Sequence, residues 1–99
     1  MNVTERITNA IPTGENHAIP LSELHRISGM SDSRATRTII EKLRRDGTVI
    51  CSSECGYYYP ADVYELRHYV NRERARARSI NITLSAAETL LEKWSEGIE

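Results

Sequence analysis

The sequence predicts a mainly helical fold with a small β-hairpin, followed by one long C-terminal helix. Three observations lead to this prediction. Apolar residues recur every three or four positions in three segments before residue 46, which is the spacing of one helix face. Two β-branched and aromatic runs, residues 48–51 and 57–59, flank a polar segment that contains Gly56. From Val63 onward, apolar residues step alternately by three and four, as in a coiled coil. These patterns divide the chain into residues 1–60 and 61–96.

Composition is that of a globular protein with a single modest core. The chain has 99 residues, of which 39% are hydrophobic and 27% charged, and its formal net charge is −1. No apolar run reaches the roughly 18 residues that a membrane-spanning helix needs. The first 30 residues lack the basic-then-apolar order of a signal peptide. We therefore expect a cytoplasmic protein with no membrane partner.

The first predicted helix covers residues 3–11, which place four apolar side chains on one face. Thr4 is its expected N-cap. A loop follows, and then a short extended segment at residues 18–20, because the residue before Pro20 avoids helical geometry.

Two further helices are predicted at residues 21–28 and 32–46, joined only by residues 29–31. Gly29 is placed to end the first helix, and Ser31 to cap the second. So short a connection makes the two helices cross steeply, as in a helix-turn-helix. The buried side of the second helix is expected to consist of Thr36, Ile39, Ile40 and Leu43.

The hairpin completes the order helix, strand, helix, helix, strand, strand, which is typical of a winged helix-turn-helix. Its loop is expected to span residues 52–56, and residues 18–20 would supply the third strand. Cys51 and Cys55 lie four residues apart in this hairpin, with no histidine at ligand-like spacing. A cytosolic chain gives little reason for a disulfide, so we interpret both as reduced thiols.

The long helix is predicted to begin with a capping box formed by Asp62 and Glu65. About 32 residues at 1.5 Å each span roughly 48 Å, more than a body of about 60 residues can cover. We therefore predict that the apolar seam, interrupted only by Glu73, pairs two copies into a homodimer. The alternative is a break at residues 79–85 that folds the tail back, because residues 81–83 have low helix propensity. The predicted dimerisation residues are Leu66, Val70, Ala77, Ile80, Leu84, Ala87, Leu91 and Trp94.

The helix at residues 32–46 is the candidate recognition helix for duplex DNA. The N-terminal end of that helix normally reaches base edges in the major groove. Arg34 and Arg37 lie one turn apart there, and each can pair with guanine O6 and N7. Arg44 and Arg45, at the far end, suit backbone phosphates. The predicted DNA-binding residues are Ser33, Arg34, Arg37, Thr38, Arg44, Arg45, Ser52 and Ser53.

Charge distribution supports this interpretation more than net charge does. Between residues 34 and 78 there are ten Lys or Arg against six Asp or Glu, and DNA responds to the local field. The alternative is that the helix arginines are solvated and pair with Glu41 or Asp46. Ser52 and Ser53, at the hairpin tip, are expected to give only hydrogen bonds to phosphates, because the tip has no basic residue.

No catalytic constellation is present. The three histidines stand apart, and the sequence contains no glycine-rich phosphate loop, metal-binding spacing or nucleophile elbow. We therefore expect a non-enzymatic protein without a cofactor or metal site.

Several short motifs resemble small winged helix proteins encoded by prophages of Gram-positive bacteria. They lie at residues 11–14, 18–19, 22–24, 40–47, 56–58 and 76–79, with Arg34, Arg37 and Ile50 between them. The resemblance implies a winged helix and a DNA-binding accessory role in phage transcription control or replication, beside other phage or host proteins. It carries over no individual binding residues. The alternative function is a protein-interaction adaptor that uses the same fold and the long helix without binding DNA.

Overall fold

The structure is a computed structural model that describes residues 1–97, and 68% of it is helical. The prediction of a mainly helical fold with a small hairpin and a long C-terminal helix is confirmed. In chain order the elements are α1 (Val3–Ala10), a 3-10 helix (Glu15–His17), α2 (Leu21–Ser28), α3 (Ser33–Arg45), β1 (Cys51–Ser53), β2 (Gly56–Tyr58) and α4 (Val63–Glu96). The chain divides into two units, Met1–Tyr69 and Val70–Glu99, and α4 contributes residues to both.

The N-caps of α1 and α3 differ from the predicted ones by one or two residues. The side chain of Asn2, not of Thr4, accepts the backbone N–H of Glu5 at 2.8 Å. Asp32, not Ser31, caps α3, since its Oδ1 accepts the backbone N–H of Ala35 at 2.8 Å. Both are residues of the preferred capping types in extended backbone geometry, so the rule was right and the position was wrong.

The hairpin is tighter than the sequence predicts. Cys51 pairs with Tyr58 and Ser53 with Gly56, so the turn has two residues rather than the expected five. The first strand also begins at Cys51 instead of residue 48. The backbone N–H of Thr48 donates to the carbonyl of Leu43 at 2.9 Å, which uses this residue to reverse the chain after α3.

Residue 19 joins the hairpin through a single bridge, not through the full third strand that was predicted. Ile19 and Tyr57 exchange two backbone hydrogen bonds of 2.9 Å each in antiparallel orientation. Pro20 follows directly and has no N–H, so the ladder cannot continue on that side. Gly56 lies so close to this bridge that a Cβ atom there would be 2.1 Å from the carbonyl oxygen of Ile19.

The core of the first unit lies between its three short helices and the hairpin. Five isoleucine and leucine side chains form one buried cluster: Ile7, Ile11, Leu24, Ile40 and Ile50. Partly buried side chains packed against it are Val3, Ala10, Ile19, Ile39, Leu43, Tyr57 and Tyr59. Because α3 turns one face into this core, its opposite face is left to solvent.

Helix α4 begins with half of the predicted capping box. The backbone N–H of Glu65 donates to Asp62 Oδ1 at 2.8 Å, as expected. The Glu65 carboxylate does not return to the Asp62 N–H, however. It accepts the backbone N–H groups of Glu15 and Ala61, each at 3.1 Å. Glu65 therefore ties the loop after α1 to the start of α4.

The helix is continuous from Val63 to Glu96, so the alternative of a break at residues 79–85 is wrong. Thr83, in the segment of low helix propensity, donates its hydroxyl to the carbonyl of Ser79 at 3.1 Å. No helix within residues 1–97 is both long and apolar enough to cross a membrane.

Candidate nucleic-acid interface

The position of α3 is set by its buried face. Thr36 and Ile40 are fully or almost fully buried, at 0% and 1% exposure. Ile39 and Leu43 are half-buried against the same core. All four are the residues that helical spacing predicted for the inner side. The orientation of α3, and hence its outward set of side chains, is as expected.

A small polar network joins α2 to the first turns of α3. The hydroxyl of Ser28 donates to the carbonyl of His25 at 2.7 Å, and its oxygen lies 3.2 Å from the buried hydroxyl of Thr36. The same oxygen accepts the backbone N–H of Met30 at 3.2 Å. Since the Ser28 proton is used, Thr36 donates to Ser28, and the His25 Nδ1 at 3.3 Å donates to Thr36. The network fixes the connection that precedes α3.

Arg34 and Arg37 are exposed at the N-terminal end of α3. Neither guanidinium makes an ion pair or hydrogen bond with another residue in the described part of the chain. Together with Asp32 and Ser33 they line a shallow polar recess at this helix end. Neither arginine pairs with Glu41 or Asp46 within residues 1–97, whereas Arg44 does pair with Glu41, as the alternative to DNA binding predicted. The side chains of Arg34 and Arg37 can both reach an anionic partner.

Ser33 and Thr38 lie beside these arginines and are also exposed. The Thr38 hydroxyl donates to the carbonyl of Arg34 at 3.0 Å, within the helix. Its proton is thus used, and the oxygen remains as an acceptor toward a partner. Ser33 is the first residue of α3, where the positive end of the helix dipole favours an anion.

Arg44 occupies a different position, because it is bound within the domain. Its Nε donates to the carbonyl of Ile50 at 2.9 Å, and its two Nη groups donate to Glu41 at 3.2 Å and to Ser52 Oγ at 3.3 Å. Its guanidinium carbon lies 5.7 Å from the centre of the Tyr57 ring, within range of a cation–π contact. These contacts fasten α3 onto the hairpin, and the predicted phosphate contact of Arg44 stays a prediction.

Ser52 and Ser53, the predicted contacts at the hairpin tip, also serve the hairpin itself. Ser52 accepts from Arg44, and the Ser53 oxygen accepts the backbone N–H of Cys55 at 3.2 Å. Both serines are half-buried, whereas Glu54 and Cys55 at the turn are exposed. Cys51 is buried and Cys55 is exposed, and no disulfide joins them in the structure.

Lys42 is a basic residue that sequence reasoning left out of the site. Its side chain is exposed and, like that of Arg45, makes no ion pair or hydrogen bond within residues 1–97. Positions 34, 38, 42 and 45 follow one another by four, four and three, so at about 100° per residue they share one side of α3. That spacing was visible in the sequence. Glu41, the only acid in α3, lies on this side too, but Arg44 holds its carboxylate.

The predicted dimerisation residues fall into two groups. Leu66, in the first unit, and Val70, at the start of the second, are half-buried. The remaining six are exposed: Ala77, Ile80, Leu84, Ala87, Leu91 and Trp94. The four large ones keep between 48% and 65% of their surface in solvent.

No side-chain cluster suited to a metal is present in the described chain, since no three His, Cys, Asp or Glu residues come together there. Comparisons with protein-family models, with curated proteins and with solved structures find no match.

Proposed function

We propose that this is a non-enzymatic protein that binds duplex DNA through α3. In this proposal α2 and α3 act as a helix-turn-helix, and β1 and β2 form a small wing beside them. The observation that carries the proposal is the set of exposed cations on α3 that have no partner within residues 1–97. These are Arg34, Arg37, Lys42 and Arg45.

The two ends of α3 have different proposed roles. Arg34 and Arg37, near the N-terminus, present planar donors that match guanine O6 and N7 in the major groove. Lys42 and Arg45, two to three turns further on, contact backbone phosphates, which set register without reading sequence. The hairpin turn carries an acid, Glu54, and no cation. The wing therefore contributes little electrostatic attraction, and affinity depends on α3.

The resemblance to prophage-encoded winged helix proteins supports a role in phage transcription control or DNA replication. The polar network around Ser28 and Thr36 supports the same proposal, because a reading helix has to be held rigidly by the helix before it. In this proposal the DNA-binding surface of the domain is already formed before DNA binds.

A salt titration of binding to a random-sequence duplex, followed by fluorescence anisotropy, tests this proposal. The logarithm of affinity should fall linearly with the logarithm of salt concentration, by about 0.9 for each phosphate contacted. The Arg45→Ala variant should bind every sequence more weakly and reduce the slope by about 1. Absence of binding by the wild-type chain at low salt would overturn the proposal.

A second variant separates charge from base reading. The double variant Arg34→Lys, Arg37→Lys keeps both charges but loses the planar, two-pronged donors. It should retain the salt slope of the wild type and lose preference for one sequence over another. Arg34→Ala with Arg37→Ala should lose the sequence preference and bind more weakly, while Lys42 and Arg45 keep a residual salt-dependent affinity.

The adaptor alternative keeps one specific observation in its favour, which is the exposed apolar row on α4. It predicts a partner protein bound through that row and no salt-dependent affinity for DNA. The titration above therefore distinguishes the two functions directly.

A further inference from the structure

Within residues 70–97, the second unit is one helical segment whose apolar seam is exposed from Ala77 onward. We define the seam as positions 70, 73, 77, 80, 84, 87, 91 and 94 of α4. Ile80 and Leu84 are half exposed, and Leu91 and Trp94 keep 62% and 65% of their surface in solvent. Ile80, Leu84, Ser79 and Thr83 also line a shallow apolar groove. So large an unpaired apolar row marks a protein interface.

The seam is symmetrical about Ile82. Its positions form mirror pairs on either side of that residue, namely 70 with 94, 73 with 91, 77 with 87 and 80 with 84. Consider a second copy that runs in the opposite direction, with the two-fold axis at the level of residue 82. Every seam position then lies opposite a seam position of the partner. Ile80 faces the partner's Leu84, and Ala77 faces the partner's Ala87. Large residues meet large ones at the centre, and small ones meet small ones beside it.

The two ends of the helical segment in the second unit carry opposite charge. Residues 71–78 hold four arginines and a single acid, Glu73, whereas residues 88–96 hold three glutamates and a single lysine. Side by side in the same direction, two copies would oppose arginines to arginines and glutamates to glutamates. Reversed, each basic end meets the acidic end of the other copy.

The charges of individual residues beside the seam also favour the antiparallel orientation. Arg74 and Glu88 each follow a seam position by one residue, so they flank the seam on the same side. In the reversed pair, Arg74 lies opposite the partner's Glu88, and symmetry makes this contact twice. In the parallel pair, no flanking residues of opposite charge face each other, and Glu73 would meet the partner's Glu73 inside the seam.

We propose that residues 70–96 pair with the same residues of a second copy as an antiparallel coiled coil. Its two-fold axis lies at the level of residue 82. This inference concerns the second unit alone, so it stands or falls separately from DNA binding. Glu73 in this arrangement faces the partner's Leu91 rather than a second acid. The pairing covers the exposed apolar row and joins opposite charges at both ends.

Cysteine cross-linking in the full-length chain measures the orientation. The background variant is Cys55→Ser, with the buried Cys51 left in place. Ala77→Cys and Ala87→Cys are introduced in separate chains that carry different tags. In the antiparallel pair these positions are opposite, whereas two copies of position 77 are about 15 Å apart, beyond disulfide reach. Oxidation should give a covalent dimer in the mixture and little in either chain alone.

Covalent dimers in each chain alone, with no dimer carrying both tags in the mixture, would overturn the antiparallel arrangement. A wild-type chain that stays monomeric by sedimentation equilibrium up to its solubility limit would overturn the pairing altogether. The Cys55→Ser chain without an added cysteine is the control, and circular dichroism verifies that each variant keeps its helix content.

A charge swap gives a second test that needs no cysteine. Arg74→Glu alone, or Glu88→Arg alone, should raise the dimer dissociation constant about tenfold, because two attractive surface pairs become repulsive. Combining both changes in one chain should restore the wild-type constant. Residues 74 and 88 are fourteen positions apart on one helix, so they cannot interact within a chain. Failure of the double variant to recover would contradict the proposed register.

Discussion

Arg44 and Arg45 are neighbours in the sequence, yet their side chains have opposite surroundings. Arg44 donates to a backbone carbonyl beyond the end of the helix and to two further side chains, whereas Arg45 is exposed and meets no partner within residues 1–97. A hydrogen bond from a charged donor contributes about 1.5–3 kcal/mol to stability. The ion pair with Glu41 adds little, because the acid is more than half exposed.

We predict that Arg44→Ala lowers the free energy of unfolding by about 2 kcal/mol. The variant leaves the Ile50 carbonyl without this donor and loosens α3 from the hairpin. Arg45→Ala is the matched control, and its stability should change by less than about 0.5 kcal/mol. Urea denaturation followed by circular dichroism measures both. Equal stability of the two variants would show that the Arg44 contacts do not hold the hairpin.

Tyr59 makes the stability of the first unit depend on pH in the alkaline range. Its phenol donates to the backbone carbonyl of Thr8 at 2.7 Å, and burial raises its pKa above the ordinary value of 10.0. The neutral form is therefore the one that the folded state favours. Its contribution to stability is complete below pH 10 and is lost as pH rises through the elevated pKa.

We predict that the melting temperature of the wild type falls more steeply above pH 10 than that of Tyr59→Phe. The phenylalanine variant should be less stable at neutral pH by about 1 kcal/mol, since it lacks the hydrogen bond. Thermal melts across the alkaline range provide the comparison. Parallel pH profiles for the two proteins would contradict this role of Tyr59.

At the scale of elements, the contact between Gly56 and the backbone of Ile19 decides how the hairpin sits on the rest of the unit. Gly56 has φ of 128°, which other residues rarely adopt, and a Cβ atom would meet three backbone atoms of residues 19 and 20 at 2.1–2.7 Å. Backbone atoms cannot move aside as the end of a long side chain can. The bridge between Ile19 and Tyr57 depends on this close approach.

We predict that Gly56→Ala destabilises the unit by more than about 2 kcal/mol, through steric overlap and an unfavourable φ. Gly47→Ala is the control, because φ there is also positive, at 102°, but no atom lies within 4 Å of the added methyl. Hydrogen exchange of the Ile19 and Tyr57 amides should accelerate in the first variant only. If both variants lose the same stability, φ strain and not the close approach is responsible.

Helical spacing predicted the order and inward faces of the three α-helices before the hairpin, since burial of one face repeats every three or four residues. It did not predict the 3-10 helix Glu15–His17, which lies in the expected loop. Capping residues were misplaced at Thr4 and Ser31 because several residues near each helix start can cap it, and tertiary geometry selects among them. The predicted five-residue turn is too long because polar Ser52 and Ser53 belong to the first strand, and Gly56 belongs to the second.

The candidate site was predicted less completely than the fold. Exposure of Arg34 and Arg37 followed from the helical pattern. The engagement of Arg44 did not, because its main acceptor is a backbone carbonyl, at Ile50, whose position depends on how the chain reverses after α3. Side-chain identity alone carries no signal for such a contact. Lys42 was left out although its spacing from Arg34 and Arg45 was readable.

At the scale of the whole molecule, the two units carry different chemistry. The first presents unpaired cations on α3, and the second presents an apolar row with oppositely charged ends. The two proposals assign a separate interaction to each surface, one with an anionic polymer and one with a second copy. Changes in one unit should therefore leave the other interaction measurable. Arg34→Ala with Arg37→Ala should keep the wild-type dimer constant, and Arg74→Glu should keep the sequence preference of α3.

Selection of bound sequences from a random duplex pool tests the central claim, DNA recognition by α3, most directly. The wild-type protein should enrich a short guanine-containing motif, because Arg34 and Arg37 are the residues that we propose read bases. The Arg34→Lys, Arg37→Lys variant should still retain DNA at low salt but enrich no motif. If the wild-type pool shows no enrichment and no DNA is retained at low salt, α3 is not a DNA-recognition helix.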